Sequence, residues 1–199
     1  MVRTIRINDR ISYIEASDGP LSADIGIIQC GDETWLYDVG NGKESVQDLS
    51  GSYNIVLSHF HLDHTGNIDR TNARELFVSN ETFRHVKKGT VVDKDLYIGD
   101  MRIFPLPSSH SKGSLGLEVD GSYAFVGDAL YCKVKDGSYV YNAQLLKEEI
   151  SVLKALDAQY LLVSHFKGLV REKREVLEEL EEIYGMREKN KSEILLRKE

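Results

Sequence analysis

Short apolar runs, several with β-branched residues, recur through the first two thirds of the chain, and most are bounded by Gly, Asp, Asn or Pro. Runs of this length and composition predict β-strands. The predicted strands are Thr4–Ile7, Ile11–Glu15, Asp24–Cys30, Thr34–Val39, Asn54–Leu57, Leu76–Ser79, Met101–Pro105, Ser114–Val119, Ser122–Val126 and Tyr160–Val163. The last two are almost wholly apolar, which indicates strands buried on both faces of a sheet.

Helical periodicity falls between and after these strands. Asn80 is predicted to cap a short helix, Glu81–Lys88, and Asn142 a longer one. The clearest amphipathic stripe predicts a helix over Glu172–Tyr184. Strands that run repeatedly into helices suggest an α/β layered fold. We expect one domain over residues 1–199, with a highly charged tail, 185–199, that frays.

Composition narrows the function classes. The 199 residues carry 25 Lys and Arg against 32 Asp and Glu, a net charge of −7. This acidic balance argues against a nucleic-acid partner, because phosphate binding needs a basic surface. No apolar run approaches the roughly 20 residues that span a bilayer, and the N-terminus has no apolar stretch typical of a signal peptide. Two cysteines far apart in sequence fit a reducing compartment. We therefore expect a cytoplasmic protein with a small-molecule substrate and no membrane partner.

The candidate chemistry centres on one segment, His59-Phe60-His61-Leu62-Asp63-His64. It directly follows the predicted strand Asn54–Leu57. His59 and His61 are two residues apart, so in an extended chain they point the same way. A turn at Leu62 would present Asp63 and His64 in another direction. Two ligand sets that face a shared space suit a pair of metals, and imidazole with carboxylate suits zinc, and also iron or manganese.

Further ligand-type residues follow later predicted strands. His110 lies in a loop between two strands, Asp128 follows the strand that ends at Val126, and His165 follows the strand that ends at Val163. In α/β folds, sites gather at the carboxyl ends of strands. These three residues are therefore candidates to complete the metal site.

This order and spacing of His, Asp and Gly-Asp motifs resembles the metallo-β-lactamase-fold hydrolase superfamily. The segment Tyr37-Asp38-Val39-Gly40 also resembles that superfamily's first signature, and the match covers roughly residues 25–168. The resemblance implies a four-layer αβ/βα sandwich, of the α/β (α+β) class, with the site at one edge.

The resemblance also implies a role for each ligand position. His59, His61 and His110 would bind one metal; Asp63, His64 and His165 would bind a second; Asp128 would bridge the two. Asp38 would orient the ligand loop rather than bind a metal. We expect two Zn²⁺, with iron or manganese as alternatives.

A binuclear site of this kind indicates hydrolysis. Two cations about 4 Å apart can share a water and lower its pKa towards neutrality, which gives a bridging hydroxide that acts as the nucleophile. Asp63 is the candidate to steer that water or to carry its proton to the leaving group. Tyr131, three residues after Asp128, is a second catalytic candidate, because lactonase-like members use a tyrosine here to polarise the substrate carbonyl. The expected substrate has an ester, thioester, lactone or amide bond.

Two other hypotheses about the function stay open. The first is a mononuclear iron enzyme that resembles persulfide dioxygenases, which share this fold and histidine cluster. The second is a non-catalytic binding protein that keeps its metals for stability. Flavodiiron-type members carry Glu where this chain has His61, which argues against oxygen reduction.

Overall fold

A computed structural model describes residues 3–197 and contains two large β-sheets. The strands of the first sheet are β1 Thr4–Arg6, β2 Ile11–Ile14, β5 Ile25–Cys30, β6 Glu33–Tyr37, β7 Ser52–Val56, β8 Asn72–Val78 and β9 Thr90–Val91. They lie side by side in that order. Pairing is antiparallel from β1 to β6 and parallel from β6 to β9. The parallel half brings the ends of β6 and β7 to the same edge.

The second sheet also contains both antiparallel and parallel pairs of strands. Its strands, again in spatial order, are β10 Leu96–Ile98, β11 Met101–Leu106, β12 Ser114–Val119, β13 Tyr123–Gly127, β16 Tyr160–Val163 and β17 Val170–Glu172. Only β13 and β16 are parallel neighbours among them. The carboxyl ends of these two strands therefore lie next to each other.

Smaller elements surround the two sheets. They are the hairpin β3 Ser17–Asp18 and β4 Leu21–Ser22, a 3₁₀ turn Lys43–Val46, the three-stranded sheet β14 Lys133–Lys135, β15 Ser138–Asn142 and β18 Glu193–Arg197, and the helices α1 Leu62–Thr65, α2 Asn80–Val86, α3 Ala143–Lys154 and α4 Lys173–Gly185. Within residues 3–197 no helix is both long enough and apolar enough to cross a membrane.

The core shows how the layers stack. Phe125 and Leu162 of the second sheet pack with Trp35 and Val56 of the first, so the two sheets face each other. On the outer side of the second sheet, other side chains of β13 and β16 pack against α3 and α4. The outer side of the first sheet is covered by the turns and short helices that follow its strands. The result is the expected four-layer sandwich, in which the central strands of both sheets are mostly buried.

The predicted strands all correspond to observed ones, and the differences lie elsewhere. Ser79, not Asn80, caps α2: the Ser79 hydroxyl accepts the Thr82 N–H at 3.1 Å. The helix ends at Val86, because Lys87 turns into the left-handed conformation with φ 57°. The prediction that the tail frays is wrong for residues 193–197, which pair with β15 and bury Ile194. Residues 198 and 199 of that predicted tail, and residues 1 and 2 of the predicted domain, lie outside the described residues.

Candidate metal centre

The first group of ligands forms around His61. The imidazole Nδ1 of His61 lies 2.9 Å from His59 Nε2 and 3.1 Å from His110 Nε2. His59 and His61 follow β7 of the first sheet, whereas His110 lies in the loop between β11 and β12 of the second. Three imidazole nitrogens from both sheets therefore converge on one point.

The second group of ligand residues lies on the other side of the segment His59–His64. Helix α1 begins at Leu62 and turns the chain, and Asp63 and His64 belong to the second group of donor atoms. Asp63 Oδ2 lies 3.1 Å from His165 Nε2 and 3.6 Å from His64 Nε2. These two histidines and the carboxylate form a second set of facing donor atoms.

Asp128 lies between the two groups. Its Oδ2 is 3.4 Å from His110 Nε2 in the first group and 3.4 Å from His64 Nε2 in the second. It is also 3.9 Å from His165 Nε2. Asp128 comes directly after β13, which ends at the centre of this edge. This position between the groups suits the bridging role that the resemblance implies.

The donor atoms fit a bound cation better than they fit each other. His64 Nε2 and Asp128 Oδ1 are buried, and neither makes a hydrogen bond to any residue between 3 and 197. A buried polar atom without a partner is costly, by about 1–3 kcal/mol. Nitrogen and carboxylate oxygen in this number are also the donors that zinc, iron and manganese take in proteins. A cation bound within this geometry would satisfy the unpaired atoms.

Asp38 and Ser58 fix the orientation of the ligand histidines. Asp38 Oδ2 lies 2.7 Å from His64 Nδ1, and Asp38 Oδ1 accepts the Ser58 N–H at 2.7 Å. The Ser58 hydroxyl is 2.9 Å from His59 Nδ1. With Nδ1 occupied in each ring, Nε2 is left to face the metal position. Asp38 therefore does what the resemblance implies, and Ser58 is a contributor that the sequence did not single out.

Asp24 is a second residue that the sequence did not indicate. This buried carboxylate accepts the backbone N–H of His165 at 2.9 Å and that of Ala16 at 3.0 Å. His165 needs this support, because its backbone is left-handed with φ 59°. Such a conformation costs of order 1–3 kcal/mol in a residue other than glycine. No pattern around Asp24 distinguishes it from a polar strand end, since its partner lies 141 residues away.

Gly127 allows the two sheets to meet at the site. Its φ is 54°, and a Cβ there would lie 2.7 Å from Cβ of Ser58. A side chain at this position would push Asp128 away from the histidines that follow Ser58. Glycine is therefore required both by its backbone conformation and by the close approach.

The electrostatics favour a cation. Burial lowers the pKa of His59, of His61 and of His110, so this group is neutral at pH 7 and has free lone pairs. Burial also acts to lower the pKa of His64, but the carboxylates of Asp38 and Asp128 outweigh it and raise that pKa to about 10. The same negative potential that attracts a proton to His64 attracts a metal ion.

Tyr131 lies close to the first group but is engaged in a hydrogen bond. Its ring centroid is 6.3 Å from that of His110, and its hydroxyl donates to the carbonyl oxygen of Ser164 at 2.8 Å. Burial raises the pKa of Tyr131 to about 12, so the phenol stays protonated. To polarise a substrate carbonyl, Tyr131 would have to exchange Ser164 for the substrate, and its catalytic role stays a prediction.

The comparisons with known proteins agree on the fold. No protein-family model and no curated protein matches the chain. Among solved structures, the DIM-1 metallo-β-lactamase is 14% identical, with 92% of this chain and 97% of that chain covered and a TM-score of 0.68. The metallo-β-lactamase from Hirschia baltica is 15% identical, with 92% and 97% covered and a TM-score of 0.67. A variant of the flavo di-iron protein from Thermotoga maritima is 17% identical, with 96% and 64% covered and a TM-score of 0.69.

The protein thus has the metallo-β-lactamase fold, in agreement with the resemblance seen in its sequence. The fold accommodates proteins named as β-lactamases and proteins named as di-iron proteins. At these identities the likeness establishes the architecture, and the chemistry has to be argued from the side chains.

Proposed function

We propose that this protein is a hydrolase that depends on two bound metal ions, most simply zinc, and cleaves an ester, thioester, lactone or amide bond of a small molecule. The observation that carries the proposal is the pair of ligand groups with Asp128 Oδ2 equally distant, at 3.4 Å, from His110 Nε2 and His64 Nε2. A single metal would need only one of the two groups.

The side chains divide into three tasks. His59, His61 and His110 would hold the first ion, and Asp63, His64 and His165 the second, with Asp128 shared. Bound ions of this kind supply an activated water and polarise the scissile carbonyl. Asp63 is half-buried beside the centre, where its second oxygen can take up a proton and deliver it to the leaving group.

The surroundings support a small substrate. The protein carries a net charge of −7, which repels a long polyanion such as RNA or DNA. Leu62 and Phe166, which immediately neighbour ligand residues, are exposed at 68% and 40%. Exposed apolar side chains next to the metal positions can contact the hydrocarbon part of a substrate.

The test is substitution of the shared and the first-group ligands. Asp128→Ala and His61→Ala should each abolish hydrolysis of whichever substrates the parent cleaves in a panel of lactones, thioesters, β-lactams and phosphodiesters, because each removes a ligand to the ions. Elemental analysis of the purified proteins should show about two metals per chain in the parent and a loss in both variants.

His85→Ala serves as the matched control. His85 is a histidine on α2 that stacks on Phe60 and lies outside both ligand groups, so its removal should leave the metal content unchanged. Full hydrolysis by metal-free protein would contradict the proposal. One iron per chain together with oxygen consumption on a persulfide would instead favour the mononuclear dioxygenase.

A further inference from the structure

A cavity of about 420 Å³ lies against the loop that carries His110. One wall is formed by residues 107–109 and 111–113 of that loop, and the opposite wall by residues of β14, β15, α3 and β18. Its volume falls within the range of small-molecule sites. None of the seven ligand residues lines it, so it is separate from the metal positions.

Two chain segments connect this cavity to the metal centre. Ser109 and Ser111 line the cavity and are the immediate neighbours of His110. Lys133 also lines it and lies two residues after Tyr131, whose ring is 6.3 Å from that of His110. The cavity and the metal positions therefore border the same loop.

The charged groups of the cavity are predominantly positive. Lys112 and Lys133 contribute two ammonium groups, and Glu193 one carboxylate. Lys112 is largely exposed, and its Nζ lies 3.9 Å from Oε2 of Glu81 on α2, a carboxylate that does not line the cavity. In a protein of net charge −7, a local excess of positive charge is a feature that selects an anion.

The remaining lining completes a mixed site. Ser109 is buried and its Oγ accepts the Asn142 N–H at 3.0 Å, which leaves the hydroxyl hydrogen to donate. Pro107, Val140 and Leu145 supply an apolar surface. Ammonium groups and a hydroxyl donor beside apolar side chains suit a carboxylate or phosphate at the end of a short hydrocarbon chain.

We propose, resting on the hydrolytic function above, that this cavity binds an anionic end group of the substrate, a carboxylate or a phosphate, while the scissile bond lies at the metal centre. Lys112 and Lys133 bind the charge, and Glu193 weakens binding by repulsion. The preferred substrates are then small acids whose cleavable bond is separated from the anionic group by a few carbon atoms.

The experiment measures binding directly, so that it does not depend on turnover. Metal-loaded protein is titrated by calorimetry with 6-oxoheptanoate, an acid in which a ketone replaces the cleavable ester, with its neutral match 2,7-octanedione, and with inorganic phosphate. The variants are Lys133→Met, Lys112→Met and Glu193→Gln. Lys135→Met is the matched control, because it removes the same charge from the same strand at a position that does not line the cavity.

We expect 6-oxoheptanoate to bind and 2,7-octanedione to bind much more weakly. Lys133→Met and Lys112→Met should each weaken binding of the acid by about fivefold, as for a partly exposed ion pair, and Glu193→Gln should tighten it. Lys135→Met should leave it unchanged. Competition by phosphate that Lys112→Met and Lys133→Met both weaken would show that the cavity also takes a phosphate, and absence of competition would identify a carboxylic substrate.

Equal binding of the acid to the parent, Lys112→Met and Lys133→Met proteins would overturn the proposal, since the anion would then be held elsewhere, for example on the metals. Weaker binding in Glu193→Gln would also overturn it, because it would mean that the site takes a cation. Failure of the proposed hydrolysis would give a different result. The metal-loaded protein would then bind the acid but cleave no substrate of the panel.

Discussion

Asp24 joins two segments that are far apart in the sequence. It holds the N–H of His165, a ligand residue, and the N–H of Ala16, which leads into the β3–β4 hairpin. Its side chain is buried, and burial raises the pKa of Asp24, although the two backbone hydrogen bonds oppose that shift. Its effect on the metal is therefore indirect, through the backbone of His165.

Asp24→Ala should weaken metal retention by about tenfold or more, because the second group loses the support of its left-handed histidine. It should also lower the free energy of unfolding by about 2 kcal/mol, since two buried N–H groups lose their acceptor. Metal content after dialysis and urea denaturation measure the two effects. Asp18→Ala is the control and should show neither effect, because Asp18 is an exposed residue on the β3–β4 hairpin. Unchanged metal retention in Asp24→Ala would show that His165 does not need this contact.

Glu149 is a buried acid without a partner. It lies on α3 with 0% exposure, and neither carboxyl oxygen has a hydrogen-bond partner among residues 3–197. Burial raises the pKa of Glu149 well above its usual range. The native protein therefore keeps a proton on Glu149 at pH values where the unfolded chain, with a pKa of about 4.3, releases it.

Stability should fall as the pH rises through this window, by about 1.4 kcal/mol per pH unit attributable to Glu149. Glu149→Gln has no proton to lose, so its advantage over the parent in chemical denaturation should grow as the pH rises above about 5. Glu148→Gln, on the exposed side of the same helix, is the control and should follow the parent at every pH. A constant difference between Glu149→Gln and the parent would refute a native proton on Glu149.

At the level of single elements, α2 shows how a cap is chosen. Both Ser79 and Asn80 are good capping residues, and the sequence alone favoured Asn80. In the structure Ser79 has the extended backbone of a cap, with φ −75° and ψ 165°, and its hydroxyl accepts the Thr82 N–H. The end of β8 at Val78 fixes where the chain leaves the sheet, and therefore which residue reaches the cap position.

Ser79→Ala should lower the free energy of unfolding by about 1 kcal/mol, because a helix N–H loses its acceptor. Asn80→Ala should change it much less, because Asn80 is the first helical residue and is exposed. The two single variants, compared by thermal denaturation, provide the measurement and its control. A larger loss in Asn80→Ala than in Ser79→Ala would favour the cap predicted from the sequence, and an equal loss would contradict Ser79 as the cap.

For the whole molecule, the ligand set connects the two sheets. His59, His61, Asp63 and His64 follow β7 of the first sheet, whereas His110, Asp128 and His165 come from the second. Ions bound at both groups would hold the sheets together at this edge, and binding that requires the native arrangement stabilises it.

Removal of metal with EDTA should therefore lower the melting temperature of the purified protein. At a free metal concentration about 1,000 times Kd, the lost stabilisation is about 4 kcal/mol. His110→Ala, which loses a ligand from the second sheet, should respond to EDTA much less than the parent. A melting temperature that chelation leaves unchanged, in protein that contained metal, would mean that the ions do not connect the sheets.

The central strands β7, β12, β13 and β16 were predictable because most of their residues are buried. In β13 and β16, alternate side chains enter the core between the sheets and the core beneath α3 and α4, so almost every position is apolar. The strands that escaped prediction, such as β9, β14 and β18, are short or have exposed side chains. Their backbone pairing depends on neighbours that local patterns do not reveal.

The sequence by itself determined the ligand types, their order and the resemblance that links them, because metal chemistry demands particular side chains at positions after strands. Only the tertiary structure decided which atoms meet: that Asp128 lies between the groups, that Ser58 and Asp24 orient the ligands, and that a cavity lies behind the His110 loop. These contacts join residues from two sheets and tens of positions apart. Such distances are set by packing, and packing has no signature in a local pattern of residues.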